Sequence, residues 1–186
     1  MSSLAGFSLL VVSCSTGTPG PEYAIPGKLC GLELPKKSYA PLFGPGGAIQ
    51  RTDSLEEMGS FEVRRQGCQF LVDDEPAVSL SGDWAMKNDR VEPSTPREVV
   101  AERTRAKPRK YPGAYDVATW RYGAVAAIDC PRPRGDKNAA YSRYLLEVHA
   151  NKAPLNDDPD RAHEVFGKLA QLAMAEVVKK LPCEGE

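Results

Sequence analysis

Five cysteines hold most of the chemistry available to this 186-residue chain: Cys14, Cys30, Cys68, Cys130 and Cys183. A cysteine can be cross-linked, acylated, used as a nucleophile or used to hold a metal. No two stand at Cys-x-x-Cys spacing, and only His149 and His163 accompany them, so neither a zinc site nor a redox dithiol is expected. The odd count leaves one thiol over in any fully paired arrangement. His149 falls on the presumed wet face of a strand, and His163 lies early in a helix beside Glu164; both read as exposed or partly packed. Ser142, His149 and Asp116 could be drawn together as a triad, but no Gly-x-Ser-x-Gly elbow supports it. "GPGG" (Gly44 to Gly47) lacks the Lys-Ser/Thr of a phosphate loop. Asp73-Asp74 and Asp157-Asp158 stand where a turn and a helix cap use carboxylates. No catalytic residue, metal or cofactor is therefore assigned.

One stretch is compositionally unusual. "RTRAKPRKYPGAY" gathers Arg103, Arg105, Lys107, Arg109 and Lys110, with Tyr111 and Tyr115 close behind. The net charge of the whole chain is only -1, so no protein-wide field draws in nucleic acid. As a site, the stretch would meet an anionic wall polymer or lipid headgroups. As a solvated loop punctuated by Pro108 and Pro112, it needs no ligand.

The chemistry of Cys14 depends on what precedes it. Leu4 to Ser13 is apolar or small and uncharged, at about ten residues too short to cross a bilayer, which takes about 20. That length suits the h-region of a secretory signal. Val11-Val12-Ser13-Cys14 resembles the bacterial lipobox, although Met1 to Ala5 carry no Lys or Arg. The resemblance implies a diacylglycerol on the Cys14 sulfur and cleavage just before it. Ser15 to Gly27, rich in Ser, Thr, Gly and Pro, then reads as a flexible tether. With Cys14 acylated, four cysteines remain, the number for two disulfides in an exported protein. Four cysteines allow three pairings, and sequence does not choose among them. Cys30–Cys68 with Cys130–Cys183 is preferred, because each pair joins a strand-like segment to a helical or turn-like one. The alternative is a cytosolic protein with buried, reduced thiols.

The elements that must position these residues follow from patterning. Pro35 and Pro41 limit Lys28 to Phe43 to short turns. Asp53 to Glu57 suits a capped helical turn, and "SFEVRR" (Ser60 to Arg65) alternates like a strand. "CQFLVDDEPAVSLSGDW" predicts a hairpin, with Cys68, Phe70, Val72, Val78 and Leu80 on one face and a turn over Asp73 to Pro76. The opposite face is expected to be wet. Thr95-Pro96-Arg97-Glu98 is a capping box with proline at the first position and predicts a short helix to about Ala106. Val117 to Asp129 predicts a strand, Gly135 to Asn138 a loop, and Tyr141 to Ala150 another strand. Asp158-Pro159 opens the clearest helix, with Ala162, Val165, Phe166, Leu169, Leu172, Ala173, Val177 and Leu181 at helical spacing. Pro182 ends it.

"KLCGLELPKK", a Cys-bearing hairpin, "AAIDC", "YLLEVHA" and a long helix ending "LPC" together resemble the small exported lipoproteins of actinobacteria. The resemblance implies an α+β body on the outer face of the cell membrane and carries over no catalytic residue. The expected fold is α+β: an antiparallel sheet with a long C-terminal helix packed on one face and two disulfides. The expected organisation is a signal peptide over 1–13, a tether over 14–27 and one domain over 28–186. The expected function is a non-enzymatic, lipid-anchored binding module whose partners are the membrane and another envelope protein or wall polymer. An envelope hydrolase with a non-standard site is the alternative.

Overall fold

The alternating residues on either side of Asp73 fold as the expected hairpin. In this computed structural model, which describes residues 20–53, 65–86, 92–131, 141–181 and 183, β2 (Arg65–Val72) pairs with β3 (Glu75–Met86). The turn is tighter than expected. Asp73 and Asp74 alone make it, with φ of 49° and 65°, the left-handed pair that matches strand twist in two-residue hairpins. Glu75 and Pro76 belong to β3 instead. The register slips between Phe70 and Leu71, and Pro76 stands opposite Leu71 at that irregularity, where a missing N–H is tolerated.

The remaining strands are β1 (Ile49–Asp53), β4 (Arg109–Tyr111), β5 (Asp116–Trp120), β6 (Gly123–Asp129) and β7 (Tyr141–His149). They form one seven-stranded sheet in the order β1-β2-β3-β7-β6-β5-β4, antiparallel at every pairing. The single strand expected over Val117 to Asp129 is two strands joined at Arg121 and Tyr122. Val117, Ala118, Ala124, Val125 and Ala126 are all buried, because both sheet faces are covered here, so the apolar run shows no break. Gly123 lets the hairpin close: a Cβ there would collide with the Val148 carbonyl and the Trp120 ring.

Helix α1 (Pro96–Thr104) begins with the expected capping box. Thr95 Oγ1 accepts from Glu98 N at 3.3 Å, and Glu98 Oε2 accepts from Thr95 N at 2.9 Å. The helix stops where Arg105 adopts a left-handed conformation, φ 57°. It packs on the face expected to be wet. Val99 and Val100 share a small core with Ala85, Ala118, Trp120, Val125, Ala127 and Leu145.

Helix α2 (Pro159–Val178) covers the other face, with Asp158 Oδ1 accepting from Arg161 N at 3.0 Å as its cap. Ala162, Phe166, Leu169, Ala173 and Val177 are buried as expected, while Val165 and Leu172 are half-buried. Two 3-10 turns, Lys36–Ser38 and Ala40–Leu42, lie in an N-terminal segment whose Leu29, Leu32, Tyr39, Leu42 and Phe43 share the main core with Phe70, Val78, Leu80 and α2. Burial of this many large apolar side chains, each contributing about 1.5–3 kcal/mol, is the main driving force for the layered fold.

Of the segment expected as a tether, 14–27, the structure describes the part from Gly20 onward. Residues 21–26 are docked on the body: Glu22 N donates to Gly46 O at 2.9 Å, Tyr23 Oη to Gly44 O at 2.8 Å, and Tyr39 Oη to Pro26 O at 2.7 Å. Tyr23 and Ile25 pack against the main core, two apolar side chains that outweigh the Pro and Gly around them. The signal segment, Cys14, most of the capped turn proposed for Asp53 to Glu57, the alternation over 60–64 and the loop over 135–138 lie outside the described residues.

Candidate functional site

Both preferred disulfides are present. Cys30 bonds Cys68 and Cys130 bonds Cys183, with Cα separations of 5.6 and 4.8 Å. The first ties the N-terminal segment to β2; the second ties the end of β6 to the chain just past α2. Four of five cysteines are thus cross-linked, as in proteins of oxidising compartments.

The basic stretch is not one patch. Arg103 sits in the last turn of α1, with Nη2 3.8 Å from Asp83 Oδ2 and Nη1 3.9 Å from Glu147 Oε2. Arg109 lies on the opposite face of the sheet, where Nη1 donates to Asp160 Oδ1 at 2.9 Å and to Pro159 O at 3.3 Å. Strand alternation sends Lys110 to the α1 side, and Arg105, Lys107 and Lys110 are exposed with no carboxylate partner among the described residues. Sequence clustering missed this division because β4 runs through the middle of the stretch and its residues alternate faces.

The histidines are set in structural surroundings. His149 is half-buried and its ring lies against Trp120, centroids 5.7 Å apart. Ser142 is seven residues away on the same strand, roughly 23 Å at strand rise, and Asp116 pairs two strands over with Ala127, so the triad is not assembled. His163 Nδ1 is 2.6 Å from Thr119 Oγ1, and its ring meets Tyr111 edge-on at 5.3 Å. Burial, then the Arg109 charge, holds the His163 pKa below its ordinary value, with Glu164 and Asp160 opposing. Thr119 is wholly buried, so this pair is a strut between α2 and β5 rather than a nucleophile and base open to substrate. The carboxylate pairs are also structural: Asp73 accepts from Gly47 N and Ala48 N, and Asp157 Oδ1 accepts from Arg121 at 3.1 Å. Among the described residues, no three His, Cys, Asp or Glu side chains converge on a metal-sized site.

One concave site does collect charged groups. Helix α1 is only nine residues long and leaves a hollow of about 400 Å³ between itself and β3, β7 and β6. Val99, Val125 and Leu145 are its apolar lining; Ser81, Asp83, Glu147 and Arg103 are its polar lining. Asp83 and Glu147 come together because Asp83 pairs with Leu145 and Ser81 with Glu147, placing all four on one face. No sequence signal links Arg103 to residues 20 before it and 44 after it; only the crossing of α1 does.

The fold and its cross-links define a disulfide-stabilised α+β domain. No protein-family model, curated protein or solved structure matches the chain.

Proposed function

We propose that this is an extracytoplasmic envelope protein, anchored to the outer face of the cell membrane through lipid on Cys14, and acting as a non-enzymatic binding module. The carrying observation is the pairing of the other four cysteines, which leaves Cys14 as the odd sulfur, in a lipobox-like sequence. No helix among the described residues is long and apolar enough to cross a membrane, so attachment through acyl chains would supply what a span does not. The non-catalytic reading is supported by the surroundings of His149 and His163, neither of which faces an accessible nucleophile. The exposed Arg105, Lys107 and Lys110 would add contacts to anionic headgroups or wall polymer, each about 1 kcal/mol near such a surface.

Metabolic labelling with an alkyne fatty acid tests the anchor. Label on the native chain and none on Cys14→Ala is the expected result; equal absence from both overturns it. Loss of binding to anionic liposomes at high salt, and on neutralising Arg105, Lys107 and Lys110 together, is expected if those cations take part.

A further inference from the structure

We propose that the hollow beneath α1 binds a neutral, hydroxyl-rich small molecule of the saccharide class; the proposal rests on reading the domain as a binding module. At about 400 Å³ the hollow falls within the range of small-molecule sites, roughly 300–1,000 Å³. Three of its polar lining residues, Arg103, Glu147 and Ser81, hold hydrogen-bonding capacity that no described residue uses. Arg103 stands 3.8 and 3.9 Å from its two carboxylates, beyond hydrogen-bond reach, and donates to neither. Among the described residues, Glu147 accepts no hydrogen bond and the Ser81 hydroxyl makes none. Asp83, 7% exposed, completes the wall.

The arrangement discriminates by charge. A ligand ammonium on Glu147 would lie against the Arg103 guanidinium. A ligand carboxylate or phosphate on Arg103 would lie against two carboxylates. A hydroxyl group escapes both conflicts. It donates to a carboxylate, which only accepts, and accepts from a guanidinium, which only donates. Val99, Val125 and Leu145, each no more than 4% exposed, add apolar lining at the bottom of the contact, where C–H groups of a sugar ring would meet them.

The test is a titration of the full-length, oxidised protein with four matched probes, followed by ligand-observed NMR. Glucose and N-acetylglucosamine are neutral, glucosamine carries an ammonium, and glucuronate carries a carboxylate. A neutral probe is expected to saturate and to bind about tenfold or more tighter than either charged analogue. Arg103→Met and Glu147→Gln are each expected to weaken it about tenfold, the loss of one hydrogen bond to a charged group, while Arg105→Gln leaves it unchanged. No saturation by either neutral probe below about 50 mM, preference for a charged analogue, or affinity indifferent to both wall substitutions overturns the proposal. Should Glu147→Gln fail to fold by near-ultraviolet circular dichroism, Ser81→Val takes its place with the same threshold. Binding is repeated on Cys14→Ala, so a negative sugar result leaves the lipid-labelling result standing, and the reverse.

Discussion

Removing the Cys130–Cys183 bond by the double substitution Cys130→Ala/Cys183→Ala should destabilise the domain by about 4 kcal/mol. The figure follows from the 53 residues of sequence separation that the bond closes: loop entropy of about 14 cal/mol/K in the unfolded chain, multiplied by 298 K. Near the midpoint this corresponds to a fall of about 10 °C for a chain of this length. The Cys30–Cys68 bond closes 38 residues and has a similar calculated contribution. The two loops follow one another in sequence without nesting, so their contributions should add to about 8 kcal/mol. Total stabilities of natural domains are about 5–15 kcal/mol, so full reduction should leave the protein unfolded or nearly so at 37 °C. Urea denaturation of the native protein and the double variant under non-reducing conditions measures the effect. The m value should rise slightly, because the unlinked chain exposes more surface. A difference below about 1 kcal/mol, with both native bonds verified by mass, would refute the unfolded-state account of how these cross-links act.

Acidification should destabilise the domain through His163. Its pKa is lowered in the fold by burial and by Arg109, so the unfolded chain takes up the proton first. The contribution of neutral His163 is intact above about pH 6.5 and is lost as pH falls below that, at up to about 1.4 kcal/mol per pH unit. His163→Gln should flatten that segment of the pH profile, and an unchanged profile contradicts the assignment. Gly167→Ala places a Cβ within the Tyr111 ring and should cost about 1–3 kcal/mol, read from urea midpoints. Leu169→Ala, at a fully buried position of α2, should cost about 2–5 kcal/mol, while Leu169→Asp should yield no folded protein by circular dichroism.

The parts of the fold that sequence disclosed are those whose signals are local. The capping box at Thr95, the Asp158-Pro159 start of α2, the alternation around Asp73 and the helical spacing from Ala162 to Val177 each act over a few residues, and each element formed. What stayed hidden depends on partners distant in sequence. β1 carries Gln50, Arg51 and Thr52 between Ile49 and Asp53, with no alternating apolar face, because it is an edge strand held by pairing with β2. The break between β5 and β6 has neither Asn nor Gly at its two turn residues, so nothing marked it. The placement of α1 on the supposed wet face required Ala118, Val125 and Leu145 to gather beneath it. The hollow is a product of that placement and has no motif.

The latch between Pro21 and Gly46 has a consequence for geometry at a bilayer. Only six peptide steps separate Cys14 from Gly20, a span of at most about 22 Å when fully stretched. A protein held by lipid on Cys14 would ride on so brief a leash that its pose would be restricted, with the tip formed by Asp73 and Asp74, which lies against Gly47, kept nearer the headgroups. The opposite end of the sheet, where Cys130 is stapled to Cys183, would then stand farther from that surface.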